Sequence, residues 1–190
     1  MIFSYSLTEV SDLPKSWNQF EAVMILEPST SQDGRMLLKL REELIKNGFH
    51  IWAPCTHQQS CPLLNESKHD WCHDRFHVQS PDWFQKLENQ LPMKNKTVTT
   101  SYVLARKRTP PEQLMNLARL TGDSMEEKGK TRQLVCRGPK REFLSWMHKN
   151  THSQTLARGE LIELPADLQI KSNELRAQFT PITVMTKKID

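Results

Sequence analysis

Three of the chain's four cysteines fall in one stretch, APCTHQQSCPLLNESKHDWCHD, residues 53–74, together with three histidines and two prolines. Cys55, Cys61 and Cys72 are separated by five and ten residues, and Cys136 follows after 63 more. Structural zinc usually takes pairs of cysteines about two to four residues apart, because a short knuckle turns both thiolates onto one ion. These gaps are wider. Iron–sulfur cubanes accept four cysteines, three from one loop and a distant fourth. Soft thiolates suit either choice, so the residue types leave both open. His57 and His73 suit two roles: replacing a thiolate in a zinc site, or hydrogen-bonding a ligating sulfur. The plain alternative is four unrelated core cysteines, which are common. Their clustering in a Pro- and His-rich loop argues against it.

The elements that would position this loop are legible around it. Residues 22–26, AVMIL, form a continuous apolar run ended by Glu27-Pro28, which reads as a buried parallel strand. From Gly34 onward Met36, Leu37, Leu40, Leu44 and Ile45 recur at helical spacing, with Gly48 behind them as a C-terminal cap. Phe49 to Ala53 then makes a second strand stopped by Pro54. This is the order of a βαβ unit, for which a right-handed crossover is expected. Met1 to Tyr5 reads as a short strand and residues 97–106 as a longer one. Ser80 or Asp82 is placed to cap a helix running through Trp83, Phe84, Leu87 and Leu91. Beyond the break at Lys107-Arg108-Thr109-Pro110-Pro111, short apolar pieces (TRQLVCR, REFLSWM, GELIELP) predict a small β-rich appendage, with a helical turn open for the second piece. The expected division is therefore an α/β unit over 1–108, the appendage over 109–171 and a weakly patterned tail over 172–190.

Composition narrows the class of partner. The apolar fraction of 37% and the lack of a long apolar run fit a soluble chain, and nothing in the sequence reads as a leader. A cytoplasmic setting is expected, where cysteines serve as thiols or metal ligands more often than as disulfides. Charge is unevenly spread. Residues 1–93 carry 8 basic against 12 acidic side chains, residues 94–141 carry 12 against 4, and the rest balances at 6 against 6. A basic central block points to a polyanion, nucleic acid first. Its candidates for phosphate contact are Arg106, Lys107, Arg108, Lys130, Arg132, Arg137, Lys140 and Arg141. A solvated basic face is the bland reading.

The cysteine motif is also specific. Ala53-Pro54-Cys55-Thr56-His57, Cys61-Pro62-Leu63 and Asp70-Trp71-Cys72-His73 resemble the bacterial and mitochondrial methyltransferase-like proteins of the small ribosomal subunit, a family tied to ribosome assembly. SYSLTEV resembles that family's fourth Rossmann strand, ILEPST its fifth, TTSYVLARK a late strand after the cysteine loop, and TRQLVCR the strand with the last cysteine. The resemblance covers most of the chain. It implies a four-iron, four-sulfur cluster on Cys55, Cys61, Cys72 and Cys136, in preference to zinc. It also implies a Rossmann-like methyltransferase fold and association with small-subunit RNA.

One departure bears on catalysis. The chain opens at what would be the fourth strand, and no glycine-rich strand–loop–helix for an adenosyl cofactor occurs among its six glycines. S-adenosylmethionine binding and methyl transfer are thus not expected of this chain alone; a second polypeptide would have to supply the first half. Glu9 and Glu27, just after strands that end at the expected cofactor crevice, are the pocket candidates, though acidic residues there are ordinarily solvated loop groups. In that sheet order the opening strand would expose an unpaired edge.

Overall fold

The computed structural model describes residues 1–7, 14–92, 97–112, 117–149 and 153–185. The fold is mixed α/β, with two sheets and few helices. The first sheet contains β1 (Ile2–Ser4), β2 (Ala22–Pro28), β3 (His50–Ala53), β4 (Asp74–His77) and β5 (Thr97–Arg106). Its order is β1-β2-β5-β3, and β4 shares the far edge of β5. β1 runs parallel to β2, while β5 is antiparallel to β2, β3 and β4. The apolar run 22–26 is thus parallel to its neighbour on one side only. β2 and β3 point the same way, with β5 inserted between them. Period-2 alternation sends Val23, Ile25 and Glu27 of β2 to one buried face.

That face is covered by α1 (Ser31–Lys46), which starts three residues before Gly34. The reason is local: the Thr30 hydroxyl accepts from the Asp33 amide at 3.1 Å, so the cap lies upstream of the first apolar repeat. Asp33 in the first turn and Lys46 in the last suit the helix dipole, and Gly48 ends the helix at φ +83°. Leu37 and Leu44 pack with Val23, Ile25, Ile51 and Val103 to form the first core. Each fully buried aliphatic side chain there contributes about 1.5–3 kcal/mol.

The second sheet joins β6 (Ala118–Leu120), β7 (Met125–Glu127), β8 (Lys130–Cys136), β9 (Glu142–Met147), β10 (Leu161–Glu163), β11 (Gln169–Lys171), β12 (Glu174–Ala177) and β13 (Thr183–Val184). REFLSWM is a strand, not a helical turn. β12 lies parallel to β9 with Leu175 fully buried, so the sheet continues past residue 171 into the stretch that looked weakly patterned. Its element is four residues long, too short to show a period. Leu120, Leu144, Trp146, Ile162 and Leu175 form this sheet's core.

Among the described residues two short α-helices remain, α2 (Pro62–Asn65) and α3 (Asp82–Glu88), beside a single 3-10 turn at Trp17–Gln19. α3 ends before Leu91 and has no side-chain cap. Trp83, Leu87 and Leu91 are exposed, so this apolar series faces outward and not into a core. Among the described residues no helix is long and apolar enough to cross a membrane.

The sheets meet at a third cluster: Leu38 of α1, Cys61 and Leu63 of the cysteine loop, Leu134 of β8 and Phe143 of β9. Beside it Arg119 of β6 pairs with Asp74 of β4, and Tyr102 of β5 donates to the same carboxylate at 2.9 Å. The cysteine loop therefore fills the seam between the sheets.

Candidate metal centre

Each cysteine stands at the end of an element. Cys55 follows β3 across the cis Ala53–Pro54 bond, Cys61 precedes α2, Cys72 precedes β4 and Cys136 closes β8. All four thiols are free, and all four line one small cavity of about 30 Å³. The remaining wall is mainly apolar, with Leu37, Leu38, Leu63 and Val103, and it also holds the Arg41 guanidinium. Among the described residues no three His, Cys, Asp or Glu side chains are placed to hold a single metal ion. The sulfurs surround a space without closing on one point. Burial first, and the neighbouring Cys55 sulfur second, push the Cys61, Cys72 and Cys136 thiols above their ordinary range. A bound metal would have to displace those protons, as thiolate ligation always does.

Polar side chains reach the sulfurs from two directions. His57 Nε2 lies 3.3 Å from Cys136 Sγ, and burial followed by the nearby Arg41 charge lowers its pKa to about 4, so the ring is neutral at pH 7. Arg41, with no exposed surface, donates from Nε to Cys55 Sγ at 3.3 Å and from Nη2 to the His57 carbonyl at 2.9 Å. Its Nη1 meets Glu42 at 2.6 Å, and Glu42 in turn accepts from the Cys61 amide at 2.9 Å. Burial would lower the Arg41 guanidinium, but Cys55 and then Glu42 outweigh it and raise it. His73 does not touch sulfur. It stacks on Trp71 at 5.5 Å, and its Nδ1 lies 3.3 Å from Arg158 Nη1.

The loop backbone is held by a second arginine. Arg35 Nη1 donates to the carbonyls of Leu63, Ser67 and Asp70 at 3.2, 3.0 and 2.9 Å, gathering the segment between Cys61 and Cys72. Ser101 holds the Cys72 carbonyl at 2.9 Å. Trp71 donates to the Ser29 carbonyl at 2.8 Å and packs on Gly34, where a Cβ would sit 2.4 Å from its Cδ1. Gly34 is thus required by close approach of the indole ring.

Neither Arg35 nor Arg41 stood out in the sequence reading, which followed the apolar residues of α1. Arg41 was detectable, because it falls one turn from Leu37 and Leu44 on the buried stripe. A charged residue inside an apolar stripe needs a buried partner. For Arg35 the sequence carries no such signal.

The basic candidates separate into two groups. Lys130 pairs with Glu174 and lies 3.7 Å from Glu127, Arg132 meets Glu127 at 2.6 Å, Arg137 grips Glu142 at 2.8 and 3.0 Å, and Arg141 meets Asp70 at 2.7 Å. Arg132 and Arg141 also lie over the Phe143 ring. Arg106, Lys107, Arg108 and Lys140 have no carboxylate partner among the described residues. Arg106 stacks on Trp52 at 4.5 Å, and Trp52 in turn donates to the Arg108 carbonyl at 2.8 Å. Of the two pocket candidates, Glu27 is fully buried and its Oε1 accepts from the Ser6 and Leu7 amides at 3.3 and 3.1 Å. It is an interior acceptor, not a solvated loop group. Glu9 lies outside the described residues.

The two sheets of this mixed α/β protein meet at a loop carrying three cysteines, with the fourth at the end of β8. Over residues 2–156 the chain matches the family model described as mitochondrial small ribosomal subunit Rsm22, and it belongs to that family. Comparison with curated proteins finds no match.

Proposed function

We propose that this chain is a small-ribosomal-subunit assembly or translation factor whose two sheets are stapled by a four-iron, four-sulfur cluster and which contacts ribosomal RNA. The observation that carries the cluster is the convergence of Cys55, Cys61, Cys72 and Cys136 on one largely apolar cavity. A cubane offers four separate iron corners, which suits sulfurs arranged around a space better than a single zinc ion does. The bound group would cross-link the loop of the first sheet to β8 of the second. Its role is structural, because ligands distant in sequence come together only on folding.

The first sheet is read as the C-terminal half of a Rossmann-like methyltransferase sheet. Its adjacent parallel strands β1 and β2 and the same-direction pair β2 and β3 around α1 support this. Among the described residues β1 pairs only with β2, and Ile2 is 72% exposed, so a further strand from another polypeptide has an edge on which to add. Phosphate contact begins at Arg106, Lys107, Arg108 and Lys140, whose charges no carboxylate among the described residues neutralises.

The test is iron and acid-labile sulfide per chain on anaerobically purified protein, with binding of a small-subunit RNA fragment measured across salt. About four of each, with RNA binding that weakens steeply as salt rises, is the expected result. Zinc alone would replace the cluster with a zinc-stapled domain. Binding that ignores salt, or none at low salt, would remove the RNA contact.

A further inference from the structure

Resting on the cluster reading above, we infer that Arg41 is the cluster's internal counter-charge, and that Glu42 trims the charge it delivers. A cubane in its common oxidised level, held by four thiolates, is a dianion. The cavity that would hold it is lined mostly by leucine, valine and the sulfurs themselves, so little else in its wall opposes that charge. A buried anion without a compensating cation is costly. Arg41 lies in that wall with no exposed surface, and its Nε points at Cys55 Sγ from 3.3 Å. A buried guanidinium has the same requirement in reverse. Its one carboxylate partner among the described residues is Glu42, whose side chain keeps 26% of its surface in solvent. Hydrogen bonds to sulfur and local net charge are what set a cluster's reduction potential.

Glu42 makes the inference testable in both directions. Its carboxylate touches Arg41 at 2.6 Å and accepts from the Cys61 amide at 2.9 Å. In Glu42→Gln the side-chain oxygen still accepts from that amide while one negative charge disappears. Arg41→Met removes the positive charge, and Arg41→Lys keeps a charge while losing the fork that spans Cys55 and the His57 carbonyl.

The experiment titrates the visible absorption of wild type and the three variants against solution potential under anaerobic conditions, after iron has been counted. The expected result is opposite shifts. Glu42→Gln is reduced more easily and Arg41→Met less easily, each changing the oxidised-to-reduced ratio at fixed potential at least tenfold, about 59 mV for one electron. Arg41→Lys stays closer to wild type than Arg41→Met. A merely structural role for Arg41 predicts lost iron with no ordered shift. Ratios within twofold of wild type in Glu42→Gln, or shifts of the same sign in both charge variants, overturn the inference. If Arg41→Met fails to hold iron, Glu42→Gln and Arg41→Lys still decide it. Wild type without any iron removes the cluster reading itself, and this inference with it.

Discussion

The imidazole Nε2 of His57 lies 3.3 Å from the sulfur of Cys136, although the two are 79 positions apart in the chain. The neighbouring Thr56 hydroxyl reaches the Cys136 carbonyl at 3.4 Å, so the loop after β3 and the end of β8 are already joined by protein contacts. Cys136→Ser should keep these backbone contacts while replacing a soft sulfur by a hydroxyl. The expected outcome is less than half the wild-type iron and sulfide, with faster proteolysis of the second sheet. Unchanged iron would exclude Cys136 as a ligand.

Arg35 gathers three loop carbonyls through one nitrogen, and hydrogen bonds to a charged donor are among the stronger ones. Arg35→Met should lower the unfolding free energy by about 2–3 kcal/mol, given that several such bonds are lost together. Urea unfolding of the metal-free protein measures it. A midpoint equal to wild type would mean that water replaces the guanidinium without loss.

The Asp74–Arg119 pair crosses the seam between the sheets, with side chains 5% and 9% exposed. Arg119→Met leaves a buried carboxylate without its cation and should cost about 3–5 kcal/mol. Tyr102→Phe removes only the hydroxyl that donates to Asp74 at 2.9 Å, and should cost about 1 kcal/mol. Equal losses in the two variants, read by thermal or urea unfolding, would contradict this ranking.

A hydrogen bond from Lys130 holds the Glu174 carboxyl below its ordinary range against the opposing effect of burial, and Arg176 adds to the lowering. Because the folded-state value is depressed, the stabilisation is fully present above the unfolded carboxylate range. It is lost as pH falls through the folded-state value. Stability of the wild type should therefore drop on acidification below that range, and Glu174→Gln should show a shallower drop. Parallel pH profiles for the two proteins would show that Glu174 does not contribute to the acid transition.

Much of the local structure was legible because it depends on local patterns. Strand 97–106 is legible over its full span, since apolar, aromatic and β-branched residues dominate it between breaks. α1 was found from its apolar spacing but started late, because its cap is set by Thr30 and Asp33, outside that spacing. The outward face of α3 is not legible in its apolar spacing, because periodicity says which residues share a side and not what covers that side. β12 was missed because a four-residue element holds little pattern and depends on pairing with β9.

By itself the sequence determined the residue chemistry: four cysteines in a specific motif, the excess of positive charge over 94–141, and the family to which the chain belongs. Tertiary structure decided what that chemistry faces. It brought Cys136 to a loop more than sixty residues away, turned Arg41 onto a sulfur, and gave Lys130, Arg132, Arg137 and Arg141 carboxylate partners, while Arg106, Lys107, Arg108 and Lys140 have none among the described residues. The reason is physical. Helical and strand periods act over a few residues, whereas the partner of a buried charge or sulfur is set by which elements pack together.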